Sequence, residues 1–313
     1  MPARRPLAAA LLVLLAACSS DTSSSPSSAT TASGDPAQVE AQLATSDLYV
    51  DAPQRVQIGL VATDPAQGVL LVTSGEMAVE LAPAGGGEGT PVSGTARYVA
   101  APGTEGTTDA PATLTAPDVG RGVYQVDATF DAPGIWDARI QGDVDGTPVT
   151  ASTRFEVLAA PTLPAPGQPA LRTENLTADA PDAEAVDSRA IDGAPIPDPE
   201  LHAGTIRDAL AEGRPILALF ATPVYCQSQF CGPTVDALAD VAADGPSDAA
   251  YIHVEIWHDF QASEINRAAA DWLLRDGDLT EPWLFLIDRD GTIVDRWSPL
   301  FDPDEVRAEL SSL

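Results

Sequence analysis

Lysine is absent from this chain: all 16 basic residues are arginine, against 46 acidic ones, for a formal charge of −30. The absence excludes Schiff-base catalysis and a nucleotide-binding P-loop, both of which need a lysine amine. A surface so short of positive charge repels phosphate backbones and anionic headgroups. That excludes nucleic acid as a partner and a direct electrostatic membrane contact. The carboxylate excess is read as a hydration device for a salt-rich setting, in preference to an acidic docking face. Cysteine and histidine are scarce, at three each, and there are two methionines. So thin a supply of soft and imidazole ligands predicts no metal and no cofactor. Long apolar runs are missing too, apart from Leu7 to Ala17. That run is shorter than the roughly 20 residues of a bilayer-spanning helix.

What is present divides the cysteines into one and two. Cys18 ends the apolar leader that follows Arg4 and Arg5, whereas Cys226 and Cys231 lie just beyond a buried-looking strand, Pro215 to Ala221. Basic residues, a short apolar core and then small residues make the layout of an export signal. Leu15-Ala16-Ala17-Cys18 resembles the bacterial lipobox, and the resemblance implies that Cys18 is acylated and becomes the mature N-terminus. Residues 1–18 then read as a lipoprotein signal peptide. Residues 19–37, rich in Ser, Thr, Ala and Pro, read as a disordered tether. The expected location is the extracytoplasmic face of the cell membrane, held by the lipid. Lipidation also accounts for the odd cysteine.

Residues 38–160 lack helical periodicity and show short apolar or alternating runs between Gly, Pro and Asp. Examples are Arg55 to Val61, Gly68 to Val72, Met77 to Leu81, Gly122 to Phe130, Gly134 to Ile140 and Ser152 to Val157. Runs at this spacing predict an all-β antiparallel sandwich. Gly122-Val-Tyr124, Phe130-Asp-Ala-Pro-Gly134-Ile-Trp136 and Phe155-Glu-Val157 resemble the last three strands of Ig-like envelope modules. Some such modules bind copper, but here one methionine and no histidine argue against it. Asp143-Val-Asp-Gly146 reads as a hairpin turn in preference to a calcium loop. Residues 161–199, rich in Pro, Ala and Asp, read as a linker that partly wraps the next domain.

Residues 200–313 alternate helix and strand. The order runs through a strand at 215–221, a helix carrying Cys231, a strand at 251–257, a helix at 263–275, and strands at 283–288 and 292–297. A last helix is capped by Asp302 with Pro303 in its first turn. Phe220-Ala221 leading to Cys226, Cys231-Gly-Pro233, and Glu281-Pro282 before Trp283 to Asp288 resemble the landmarks of thioredoxin-like proteins. The resemblance implies a second, α/β domain of thioredoxin-like fold. It also implies a Cys226/Cys231 dithiol at a helix N-terminus, and a substrate-holding edge at Glu281 and Pro282 opposite the sulfurs. A thiol so placed gains thiolate character from unpaired backbone N–H groups and the helix dipole.

Departures from the pattern qualify this reading. Four residues separate the cysteines where redox families usually place two, and Thr234 stands where the second cysteine belongs. In a regular helix residues five apart rise about 7.5 Å, beyond the reach of a disulfide, so a bond requires Cys226 to lie in the turn before the helix or the first helical turn to unwind. Leu219 replaces the usual buried aspartate, leaving His253 and Glu255 as candidates for proton transfer. Thiol–disulfide exchange on extracytoplasmic proteins, with an envelope redox partner, is the expected activity. Cys226 attacks and Cys231 resolves. The four-residue spacing also resembles the peroxiredoxin Q type, although Pro282 stands where a peroxide-polarising arginine is needed. Sco-type copper binding is the weakest match, because Glu281-Pro282 replaces the ligand histidine. A structural disulfide in a binding or scaffold lipoprotein stays open beside these.

Overall fold

The computed structural model describes residues 38–226 and 230–313; the leader, Cys18 and the 19–37 tether lie outside the described residues. Apolar alternation produces the first strands: in β4 (Glu76–Pro83), Met77, Val79 and Leu81 point inward while Glu76, Ala78 and Glu80 face solvent. The other strands of this half are β1 (Gln38–Leu43), β2 (Pro53–Asp64), β3 (Gly68–Thr73), β5 (Val92–Ala100), β6 (Thr113–Thr115), β7 (Gly122–Thr129), β8 (Gly134–Val144) and β9 (Thr147–Val157). They form one nine-stranded sheet in the order β6-β3-β2-β7-β5-β4-β8-β9, with β1 added on β2. Every pairing in it is antiparallel. The sheet curls until β1 lies against β9. Inside the curl Phe130 packs edge-on against Trp136 and Phe155, with centroids 4.9 and 5.8 Å away. Asp145 and Gly146 turn the β8–β9 hairpin with φ of 52° and 78°. This left-handed pair is the ordinary two-residue hairpin turn, in agreement with the hairpin reading of 143–146.

The second half contains α1 (Ile206–Glu212), β10 (Ile216–Ala221), α2 (Cys231–Asp244), β11 (Ala250–Glu255), β12 (Trp257–Asp259), β13 (Glu264–Ile265), α3 (Arg267–Leu273), β14 (Leu274–Arg275), β15 (Asp278–Leu279), β16 (Trp283–Ile287), β17 (Ile293–Trp297) and α4 (Pro303–Leu310). A four-stranded sheet runs β11-β10-β16-β17. Only β10–β11 is parallel; β10–β16 and β16–β17 are antiparallel. All six residues of β10 are buried, as suits a central strand covered on both faces. Asp302 caps α4, its Oδ1 accepting from the Asp304 N–H at 3.0 Å.

The expected fold, an Ig-like sandwich followed by a separate α/β thioredoxin-like domain, is corrected by this arrangement. The described chain is mostly strand, 41% against 18% helix. Two sheets do not form in the first half because long strands change partners along their length. β2 pairs with β7 over Pro53–Ile58 and with β3 over Val61–Asp64. In β5, Arg97 stands opposite both Glu76 of β4 and Gln125 of β7, which makes the sheet continuous. In the second half, the helix expected over 263–275 shrinks to Arg267–Leu273, and the flanking residues form the ribbons β12–β13 and β14–β15.

Nor do the halves separate, since Ala37–Leu313 is one compact unit. Gln57, fully buried on β2, donates through Nε2 to Leu300 O at 2.8 Å, and its Oε1 accepts from Leu300 N at 3.2 Å. Arg55 meets Asp295 at 2.7 Å and Glu305 at 2.6 Å. Arg296 meets Asp47 at 2.8 Å, both buried. The 161–199 segment contributes Leu163 to the second half's core and donates the Ala170 N–H to Gly291 O at 2.8 Å.

Candidate functional site

The end of β10 delivers the chain to a turn, Pro223 to Tyr225, that sets Cys226 before α2 and Cys231 as its first residue. Gly232 and Pro233 come next, inside the first turn of α2, where a proline's missing N–H costs nothing. Cys226 and Cys231 form a disulfide with their Cα atoms 6.0 Å apart. The Cys231 N–H points at Cys226 Sγ from 3.4 Å, so the first free amide of the helix faces the outer sulfur. Cys231 is fully buried against Leu217, Leu219 and Ala221, and Cys226 is half-buried. Of the two ways the four-residue spacing allows, the structure takes the first, with Cys226 ahead of the helix.

Glu281 joins them. Its carboxylate and both sulfurs lie within 4.8 Å of one another, and its Oε2 is buried with no hydrogen-bond partner among the described residues. Burial, reinforced by the charge of Glu255, pushes the Glu281 acid up to about 7. The Glu281–Pro282 peptide is cis, and it leads into β16 beside β10. Glu255 is held otherwise: its carboxylate accepts from the N–H groups of Ser188, Ile256 and Trp257 at 2.8, 2.9 and 3.2 Å. Burial raises its acid as well. His253 lies on β11, with Nε2 3.1 Å from Ala221 O and Nδ1 facing Asp187. Of the residues singled out in the sequence, Cys226, Cys231 and Glu281 come together. Glu255 acts on that group through space, and His253 belongs to a separate buried cluster.

The site has features the sequence did not disclose. Tyr225 stacks flat on Phe260 at 4.0 Å, and its hydroxyl donates to Glu184 at 2.6 Å. Val224 and Phe260 are exposed, and with Tyr225 they give an apolar rim beside Cys226. On the other side a cleft of about 520 Å³ opens between Glu281, Phe230 and Pro299 and the strand residues Gly59, Val61 and Leu71. Phe260 stands singly between Asp259 and Gln261, so no local signal marks it as part of a rim. The chain matches no protein family, no curated protein and no solved structure.

The Glu281 acid predicts a pH effect on stability. Its folded value lies above the ordinary 4.5, so the folded chain holds this proton more tightly than the unfolded chain. The stabilisation is complete below 4.5 and is lost as pH rises through about 7. Glu281→Gln cannot ionise. Its stability relative to the parent is expected to rise between pH 5 and about 8, measured by denaturant titration. Subtracting the parent cancels Glu309, whose acid burial also pushes up to about 7. A difference that stays flat across that range would show that Glu281 is ionised throughout.

Proposed function

We propose that this protein is a membrane-anchored, extracytoplasmic thiol–disulfide oxidoreductase acting through Cys226 and Cys231. The observation that supports it best is the buried carboxyl of Glu281, with its acid at about 7, set against a disulfide at the start of a helix. In the reduced form, the Cys226 thiolate attacks one sulfur of a substrate disulfide. A mixed disulfide forms and a substrate thiolate leaves. Cys231 then gives its proton to the Glu281 carboxylate and attacks Cys226 Sγ. The Cys226–Cys231 bond forms, and the second substrate sulfur leaves as a thiolate that takes up the proton. Two electrons pass from the dithiol to the substrate, and the same steps run in reverse on a substrate dithiol. Substrate chains from envelope proteins, with a membrane or envelope redox partner to reset the dithiol, fit the cleft beside Glu281.

The rate at which Cys231 resolves the mixed disulfide formed with a small aromatic disulfide, read as release of the second aromatic thiolate, tests the proton step. The parent is expected to show an inflection near pH 7 that Glu281→Gln lacks, with the variant about tenfold slower above it. Identical profiles would remove Glu281 from the reaction. The anchor rests on the leader sequence. Full-length protein made in a bacterial host is expected to partition into detergent and carry acyl mass on Cys18, and Cys18→Ala to do neither. Wild type recovered without acyl mass, under active signal processing, would overturn the anchor.

A further inference from the structure

Behind the dithiol, three donors that lie far apart in the chain converge. Asp187 comes from the 161–199 segment, His202 from the 3-10 turn Pro199–His202, and His253 from β11. All three are fully buried. Asp187 Oδ2 lies 3.4 Å from His202 Nε2 and 3.4 Å from His253 Nδ1, and the three ligand atoms fall within 4.8 Å of one another. We propose that Asp187, His202 and His253 bind a divalent cation of the zinc class, which clasps the 161–199 segment to β11.

The hydrogen positions give the first reason. Ala221 O, 3.1 Å from His253 Nε2, can only accept a hydrogen bond, so Nε2 carries the proton. Nδ1 then faces the Asp187 carboxylate, and in the deprotonated ring that a metal takes, its lone pair and Oδ2 converge on one point that a cation can occupy. An outer ring N–H held by a backbone carbonyl is also how metal-ligating histidines are oriented. The second reason is what the donors lack. Among the described residues no well-aligned hydrogen bond reaches either ring nitrogen of His202 or Nδ1 of His253, which leaves the 3.4 Å approaches to Asp187 Oδ2. Buried polar atoms left in that state are costly unless something satisfies them.

Distance supplies the third. Hydrogen bonds between charged groups close to about 2.7–2.9 Å, well inside the observed separations. Ligand atoms about 2.0–2.1 Å from a tetrahedral zinc lie about 3.3–3.4 Å from one another. Two imidazole nitrogens and one carboxylate oxygen suit zinc better than the hard cations, which take oxygen, or cuprous copper, which takes sulfur. Arg189 holds both carboxylate oxygens, with Nε 3.0 Å from Oδ1 and an NH2 nitrogen 2.8 Å from Oδ2, the oxygen that faces the two rings. Asp198 and Asp236 face that guanidinium at 2.9 and 3.5 Å and offset its charge. The clasp extends one residue on: the Ser188 N–H donates to Glu255, and Ser188 Oγ accepts from the Val224 N–H at 3.1 Å, in the turn that carries Cys226.

The test uses full-length protein kept oxidised, stripped with a chelator and then dialysed against zinc sulfate. Metal content, cobalt(II) spectra and thermal unfolding are the readouts. The expected result is one zinc per chain, held equally by Cys226→Ser/Cys231→Ser. Affinity should fall at least about tenfold in His202→Gln and His253→Gln. Cobalt should give tetrahedral d–d bands without thiolate charge transfer, and zinc should restore the melting temperature that chelation lowers. Less than about 0.1 zinc per chain, with melting unmoved by chelator or metal, would overturn the proposal. So would zinc that disappears with the two cysteines. Should the glutamine variants fail to fold, stripping and reloading the wild type decides by itself.

Discussion

Cys231→Ser is expected to accumulate mixed disulfides with envelope proteins through Cys226, at least about tenfold more than Cys226→Ser. The asymmetry comes from position. Cys226 is the outer sulfur, it receives the first helix N–H, and it adjoins the apolar rim of Val224, Tyr225 and Phe260. Cys231 is fully buried, so in the proposed exchange it acts second, on the Cys226 sulfur of the mixed disulfide. Removing it leaves the mixed disulfide with no internal thiol to resolve it. The measurement is non-reducing electrophoresis of alkylated, pulled-down protein, with mass spectrometry of the captured cysteines. Equal, background capture by both variants, together with a folded wild type whose disulfide resists dithiothreitol, would make the pair a structural staple. Hydrogen peroxide is expected to oxidise Cys226 no faster than a free cysteine. Oxidation orders of magnitude faster would replace exchange with peroxidase chemistry.

The second large effect lies at the junction of the two halves. Arg296 on β17 makes an ion pair with Asp47 at 2.8 Å and donates to Pro164 O and Asp47 O at 3.0 Å. Its guanidinium covers the rings of Trp283 and Tyr49 at 4.9 and 5.2 Å. Truncating one partner of such a buried pair leaves the other charge stranded, so Arg296→Ala is expected to cost about 3–5 kcal/mol. Because the halves share one packed unit, denaturant unfolding should stay a single transition with an unchanged slope. Two separated transitions would show that the halves hold their folds independently. Arg97→Ala, at a half-exposed pair with Asp302 and Glu305, is expected to cost about 1 kcal/mol or less.

How much of this could be read from the chain differs element by element. Strands with an apolar or alternating run were legible: the runs at 68–72, 77–81 and 134–140 fall inside β3, β4 and β8. The cap at Asp302 and the turn position of Cys226 were legible too, because each depends on neighbours a few residues away. β5 was not, since Val92-Ser-Gly-Thr-Ala-Arg-Tyr98 alternates through small residues such as Gly94 and Ala96 that carry little apolar signal, and its pairing partners lie on β4 and β7. Missing β5 meant missing the strand that joins the sheet, and a sandwich was expected in its place. Around the site, the cysteines and Glu281 carried local signals. Asp187 sits in a Pro- and Ala-rich stretch that looks like linker, and only the fold shows it buried beside two of the three histidines.

The Gln57 and Asp47 contacts bear on the order in which the molecule can mature. A chain delivered N-terminus first presents β1 to β9 complete while residues 295–309 are still on their way. Until those residues arrive, the Gln57 amide has no Leu300 backbone to pair with, and Arg55 has neither Asp295 nor Glu305. Asp47, which also accepts from the Thr162 N–H at 2.8 Å, waits for Arg296. The early sheet therefore spends its first moments with an unfinished polar seam facing solvent, and the C-terminal residues act as its closing latch.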